Sequence, residues 1–181
     1  MFPAPSGANS NRAGFTLLEL LAVVGIIAIL AGLVLGVGRH AIESGKISRA
    51  KCELTVLAAA LESYKRSYGD YPQTDDEARL LQSLIGRRGP QNAALTGRGF
   101  IESAKFATAG ALDPFTNPTA VVIDPWDQSY VYAYKSQTPW TNPGFVLYSI
   151  GPDGADSPAL LSGGLIDPAP PANADNLHAN R

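Results

Sequence analysis

The sequence has 181 residues, room for one ordinary domain and little more. Only 17% are charged, below the usual quarter, and a net charge of −2 supplies no basic field for a nucleic-acid partner. One cysteine, Cys52, excludes an internal disulfide, and two histidines, His40 and His178, leave almost no material for a histidine-based catalytic or zinc centre.

Residues 1–14 form a polar leader with a single charge, Arg12. From Leu20 to Gly38 every residue is apolar or glycine. At the standard helical rise this run spans roughly 28 Å, enough for a hydrocarbon core of about 30 Å. A buried core helix is rarely apolar on all faces for so long. An ordinary secretory signal peptide fits poorly, since it has a shorter apolar stretch and a small-residue exit. Glu19 stands at the head of the run. A carboxylate there costs a few kcal/mol unless it is paired, which marks a functional residue, or it simply sits at the lipid–water boundary. Charge cost leaves both readings open.

Gly14-Phe15-Thr16-Leu17-Leu18-Glu19-Leu20-Leu21, followed by the apolar span, resembles the processing signal of type IV prepilins. The resemblance implies cleavage after Gly14 by a membrane-embedded prepilin peptidase, and N-methylation of the new terminus, Phe15. It also implies that Glu19 attracts the N-terminal amine of a neighbouring subunit during assembly, a pairing that counts for more in a low-dielectric bundle than at a wet surface. The expected organisation is a leader over 1–14, a transmembrane half-helix over 15–38 and a periplasmic head over 39–181. The chain would then be a single-pass protein of the inner membrane. Positive charge points the other way, because Arg39, Lys46, Arg49 and Lys51 all follow the span. The motif is given precedence, because it reads a leader left in the cytoplasm.

Beyond the span, apolar or aromatic residues recur at Ile47, Ala50, Leu54, Leu57, Leu61, Tyr64 and Tyr68 in steps of three and four. Arg49, Glu53, Glu62, Lys65 and Arg66 take the remaining surface. Gly69 and Pro72 end the pattern, so one helix is predicted from about Phe15 to Tyr68, ~80 Å at the standard rise. Gly32-x-x-x-Gly36 fits close helix packing in membranes, although glycines are also simply common there. Many family members carry proline where Gly36 stands; glycine weakens a helix by about 1 kcal/mol rather than about 3, and leaves local melting during assembly open. Cys52 is read as an ordinary buried or half-buried residue.

Thr74-Asp75-Asp76-Glu77 reads as a capping box opening a short helix to Leu84 or Ile85, closed by Gly86. Residues 87–99 read as a loop. Runs over 120–123, 130–134 and 145–150 predict three short antiparallel strands, punctuated at Asp124-Pro125-Trp126-Asp127 and at 139–144. The fold class is α+β, a long helix packed on a small sheet.

Tyr71-Pro72, Asp124-Pro125-Trp126 with Tyr130-Val131-Tyr132, and Tyr148-Ser149-Ile150-Gly151-Pro152-Asp153-Gly154 extend the resemblance to the major pseudopilins of type II secretion. After Ile150 the chain reads as turn and loop with acidic and amide side chains, the ligand type that calcium takes from flexible loops. Related pseudopilins bind calcium here. The match implies the Ile150 carbonyl, Asp153, Asn173 and Asp175 as ligands, with Asn173 standing where an aspartate is usual. Asp-Gly and Pro-Asp steps also serve turn geometry alone.

No nucleophile elbow or paired-carboxylate motif stands out, so an enzyme is not indicated. The resemblance implies a homo-oligomeric helical filament that drives protein export. Its partners would be the membrane, prepilin peptidase, minor pseudopilins and inner-membrane secretion components. The alternatives are a type IV pilus pilin and a minor or DNA-uptake pseudopilin.

Overall fold

The computed structural model describes residues 15–157 and 160–179, with the side chains of 33–39 outside the description. The leader and Gly14 lie outside the described residues.

Helix α1 runs from Leu17 to Tyr68. Thr16 opens it: its hydroxyl accepts the Glu19 N–H at 3.2 Å and its carbonyl accepts from Glu19 and Leu20, both at 3.1 Å. Thr16-Leu17-Leu18-Glu19 therefore carries the threonine half of a capping box. Gly69 closes the helix at φ +85°, a conformation that suits a residue without Cβ, and its N–H bonds to the Lys65 carbonyl at 2.7 Å.

The chain divides into two compact units between Ile42 and Glu43. In the first unit the described large side chains are exposed all round, from Leu17 and Leu18 to Ile29, Leu30 and Ile42. Among the described residues no helix is long and apolar enough to cross a membrane. The described part of the expected span is 20–32, about 20 Å of helix, and the remainder falls on residues whose side chains are not described.

The second unit buries the predicted stripe. Ala50, Leu54, Leu57, Leu61 and Tyr64 are inside, and Ile47 and Tyr68 are half-buried. Two expectations for this stretch are corrected. Glu53, read as surface, is buried because Tyr130 supplies a partner, and Cys52 is exposed because its face of α1 lies opposite the stripe.

Helix α2, Glu77–Leu84, lays Leu80, Leu81 and Leu84 against that stripe. Its N-cap is Asp76, whose carboxylate accepts the Arg79 N–H at 3.0 Å, whereas Thr74 accepts the Asp76 N–H. The helix thus starts two residues later than a cap at Thr74 implies. Aspartate is at least as good a cap as threonine.

The fold is α+β, but the third strand of the sheet differs from expectation. β1 (Val131–Ala133) pairs antiparallel with β2 (Val146–Ser149), through Val131↔Tyr148 and Ala133↔Val146. A separate hairpin, β3 (Leu160–Leu161) with β4 (Leu165–Ile166), follows. The far side of β2 is taken by β5 (Leu177–His178), giving the order β1-β2-β5. Residues 120–123 make only isolated bridges, Thr108↔Val122 and Ile123↔Ser129. The C-terminal segment, read as turn and loop, therefore ends in a strand, and His178 lies in it against the Tyr148 ring.

Candidate functional site

Three sets of residues matter: the start of α1, the C-terminal segment, and the polar contacts that hold α1 to the head loops.

Phe15 is 80% exposed and Glu19 lies in the first turn of α1. Among the described residues Glu19 enters no ion pair; its N–H is held by the Thr16 cap and its carboxylate is exposed. A first-turn carboxylate also suits the positive end of the helix dipole. The site therefore presents a bare aromatic and a bare carboxylate one turn apart.

In the C-terminal segment the structure brings Asp153 and Asp175 together: the Asp153 N–H donates to Asp175 Oδ2 at 3.2 Å. Gly151, at φ +79°, lets the backbone pass Asp175 closely, since a Cβ there would lie 2.6 Å from the Asp175 carbonyl oxygen. Ile150 directly precedes this turn and is half-buried. Asn173 is buried and points elsewhere. Its Oδ1 accepts the Ser157 N–H at 2.8 Å and its Nδ2 donates to the Asp167 carbonyl at 2.8 Å, so its amide clips two loop strands together. Asp156 accepts from the Tyr148 hydroxyl and from Asn176 Nδ2. Burial, and then the bond to Asp156, raise the Tyr148 pKa well above that of a free tyrosine. Asp175 Oδ1 and Asn176 Oδ1 are buried with no hydrogen-bond partner. Among the described residues no three acidic, histidine or cysteine side chains gather to hold a metal ion.

The third set has no signal in local pattern. Glu53 Oε2 accepts the Tyr130 hydroxyl at 2.6 Å, while Oε1 accepts Arg49 Nε at 2.8 Å. Burial, and then this bond, push the Tyr130 pKa strongly up. Glu43 Oε1 accepts the Trp126 indole N–H at 2.8 Å. Asp124, 2% exposed, accepts the N–H groups of Trp126 and Gln128 with one oxygen and the Ser149 hydroxyl with the other, at 2.5 Å. The Asp124-Pro125-Trp126 landmark is thus a turn built around a buried carboxylate.

Asp70 anchors the far end of α1. Burial pulls its pKa up, but Lys135, the Tyr134 hydroxyl, Gln73 and the Tyr71 N–H prevail and hold it at about 2. A groove of about 460 Å³ between α1 and the 98–106 loop is lined by Cys52, Val56, Phe100, Ile101 and Phe106, and no histidine faces it.

A long helix, apolar and exposed at its start and embedded in a small antiparallel sheet at its end, defines the chain as pilin-like. The prokaryotic N-terminal methylation motif matches residues 9–35, and the model of type II secretion system protein G matches residues 39–159. The chain belongs to the type II secretion system protein G family. It is 30% identical to type II secretion system core protein G of Pseudomonas aeruginosa, over 92% of this chain and 97% of that one. It is 29% identical to the Escherichia coli core protein G, over 81% and 86%. The toxin coregulated pilin of Vibrio cholerae is 28% identical over 60% of this chain and 42% of the pilin. No solved structure gave a significant match.

Proposed function

We propose that the chain is a structural subunit of a type II secretion pseudopilus, anchored in the inner membrane with its head in the periplasm and processed after Gly14. The observation that carries this reading is the coexistence of two matches on one chain, the methylation motif over 9–35 and the protein G model over 39–159. Methylated Phe15 would then begin the mature chain. The exposed apolar side chains of 17–30 would pack in lipid and, after assembly, against sister helices. Glu19 would pair with a neighbour's terminal amine, at a place where such a charge needs a partner. Export would follow from growth of the helical filament, with minor pseudopilins and inner-membrane components as partners. The pilus alternative is less well supported, because the toxin coregulated pilin match leaves more than half of that protein uncovered.

Calcium belongs to the same proposal. The ligands would be Asp153, Asp175 and the Ile150 carbonyl, with the orphaned Asn176 Oδ1; Asn173, expected as a ligand, would instead hold the loop through its bonds to Ser157 and Asp167. Few carboxylates and several neutral oxygens suit calcium better than zinc. A bound ion would neutralise the acidic turn and hold the segment that leads into β5. Calorimetry with calcium should give a saturable heat and a raised melting temperature, both lost in Asp175→Asn. Absence of both in the unsubstituted protein would remove calcium from the account.

The function is tested by the secreted proteome of a deletion strain against its complemented parent. Selective loss of extracellular enzymes with surface fibres intact is expected. Normal secretion with fibres lost would move the chain to the pilus class.

A further inference from the structure

In the second unit α1 acquires its anchors gradually. Ala50 is the first fully buried side chain, and from there Glu53, Leu54, Leu57 and Leu61 are all inside. The two turns or so before it, residues 43–49, have little to hold them. Ile47 is half-buried, the Ser48 hydroxyl bonds back to the Ser44 carbonyl, and Arg49 bonds forward to Glu53, so both of these bonds stay within the helix. The contact that reaches out of this stretch is Glu43 Oε1 to Trp126 Nε1, 83 residues apart in sequence.

The partner is aimed by a rigid turn. Asp124 holds the Trp126 and Gln128 N–H groups, its own N–H bonds to the Gln128 carbonyl at 2.7 Å, and its second oxygen is fastened to Ser149 at the end of β2. An indole N–H donates only and a carboxylate accepts only, so the pair has one possible polarity. A half-buried bond of this kind, with one ionised member, is stronger than a neutral surface contact.

We propose that Trp126 and Glu43 are positioning residues, a latch that sets the first residue of α1 held by the head. Its consequence for assembly rests on the pseudopilus reading: melting of the helix at the glycines that precede it stops at Glu43 and does not run into the folded core. Without the latch, the stop retreats to Ala50 and Glu53.

The test is hydrogen exchange by mass spectrometry on the full-length chain in detergent micelles. Trp126→Phe keeps a ring without the donor, Glu43→Ala removes the acceptor, and Glu43→Gln restores an oxygen. Exchange of the 44–50 amides should rise about tenfold or more in Trp126→Phe and Glu43→Ala, and stay within about threefold of the parent in Glu43→Gln. Amides of 54–64 should not change. Unchanged exchange at 44–50 in the first two variants overturns the latch. So does an equal rise across 54–64 and β2, which would mean general loosening. The measurement needs no filament, so it stands or falls separately from the secretion result.

Discussion

Residues 17–32 and 43–68 belong to one helix, yet the first stretch exposes its large apolar side chains on every face, whereas the second buries a narrow stripe and one carboxylate. The difference is one of partners within the chain. The second stretch packs with α2 and the sheet, takes the hydroxyls of Tyr71 and Tyr130 on its own Glu62 and Glu53, and supplies Tyr64, whose hydroxyl donates to the Arg88 carbonyl. The lesson is that a helical backbone is shared by both stretches, so helix formation does not explain why only one is folded into a core. Stability of the head should come from the second stretch, and assembly from the first.

Substitutions in the two stretches should therefore have opposite readouts. Leu61→Ala, at a fully buried position, should cost about 3 kcal/mol of head stability in urea unfolding, through lost burial and a cavity. Ile27→Ala, at a site 59% exposed, should leave the head within about 0.5 kcal/mol. Equal losses would erase the contrast. Glu53→Ala should cost about 2 kcal/mol, since it strands the buried Tyr130 hydroxyl, and Glu53→Gln should recover part of this.

Among substitutions in the head, the smallest effect expected is at Asp70. Its pKa is depressed in the folded head, so its contribution is fully present above the unfolded value near 4 and is lost as the pH falls through about 2. Asp70→Asn should lower stability by about 1 kcal/mol at neutral pH, discounted for the partial exposure of Lys135. The gap between variant and parent should close below about pH 2. A gap independent of pH would show that Asp70 acts through packing alone.

Much of this contrast was legible in the residues. The three-four spacing from Ile47 to Tyr68 locates the buried stripe because a helix repeats every 3.6 residues, and Gly69 ends it as its backbone requires. What local pattern cannot show is a partner distant in sequence. Glu53 looks like any helix-surface carboxylate until Tyr130 arrives from 77 residues away. Leu177-His178 is too short to announce a strand, while the β-branched run at 120–123 looks like one and forms only bridges. At the candidate sites, the motif around Gly14, Phe15 and Glu19 was plain in sequence, and its first residue lies outside the described structure. In the acidic segment Asp153 and Asp175 do meet, but the role of Asn173 as a clip between Ser157 and Asp167 depends on a loop path that no spacing encodes.

The division of labour within α1 is tested most directly by Glu19→Ala, measuring head melting temperature and filament yield in the same preparation. Glu19 is exposed in the first turn of α1, so the melting temperature should equal the parent's while filaments are lost. Filaments at the parent's yield would contradict the assembly role of the first stretch, and a lowered melting temperature would contradict its independence from the core.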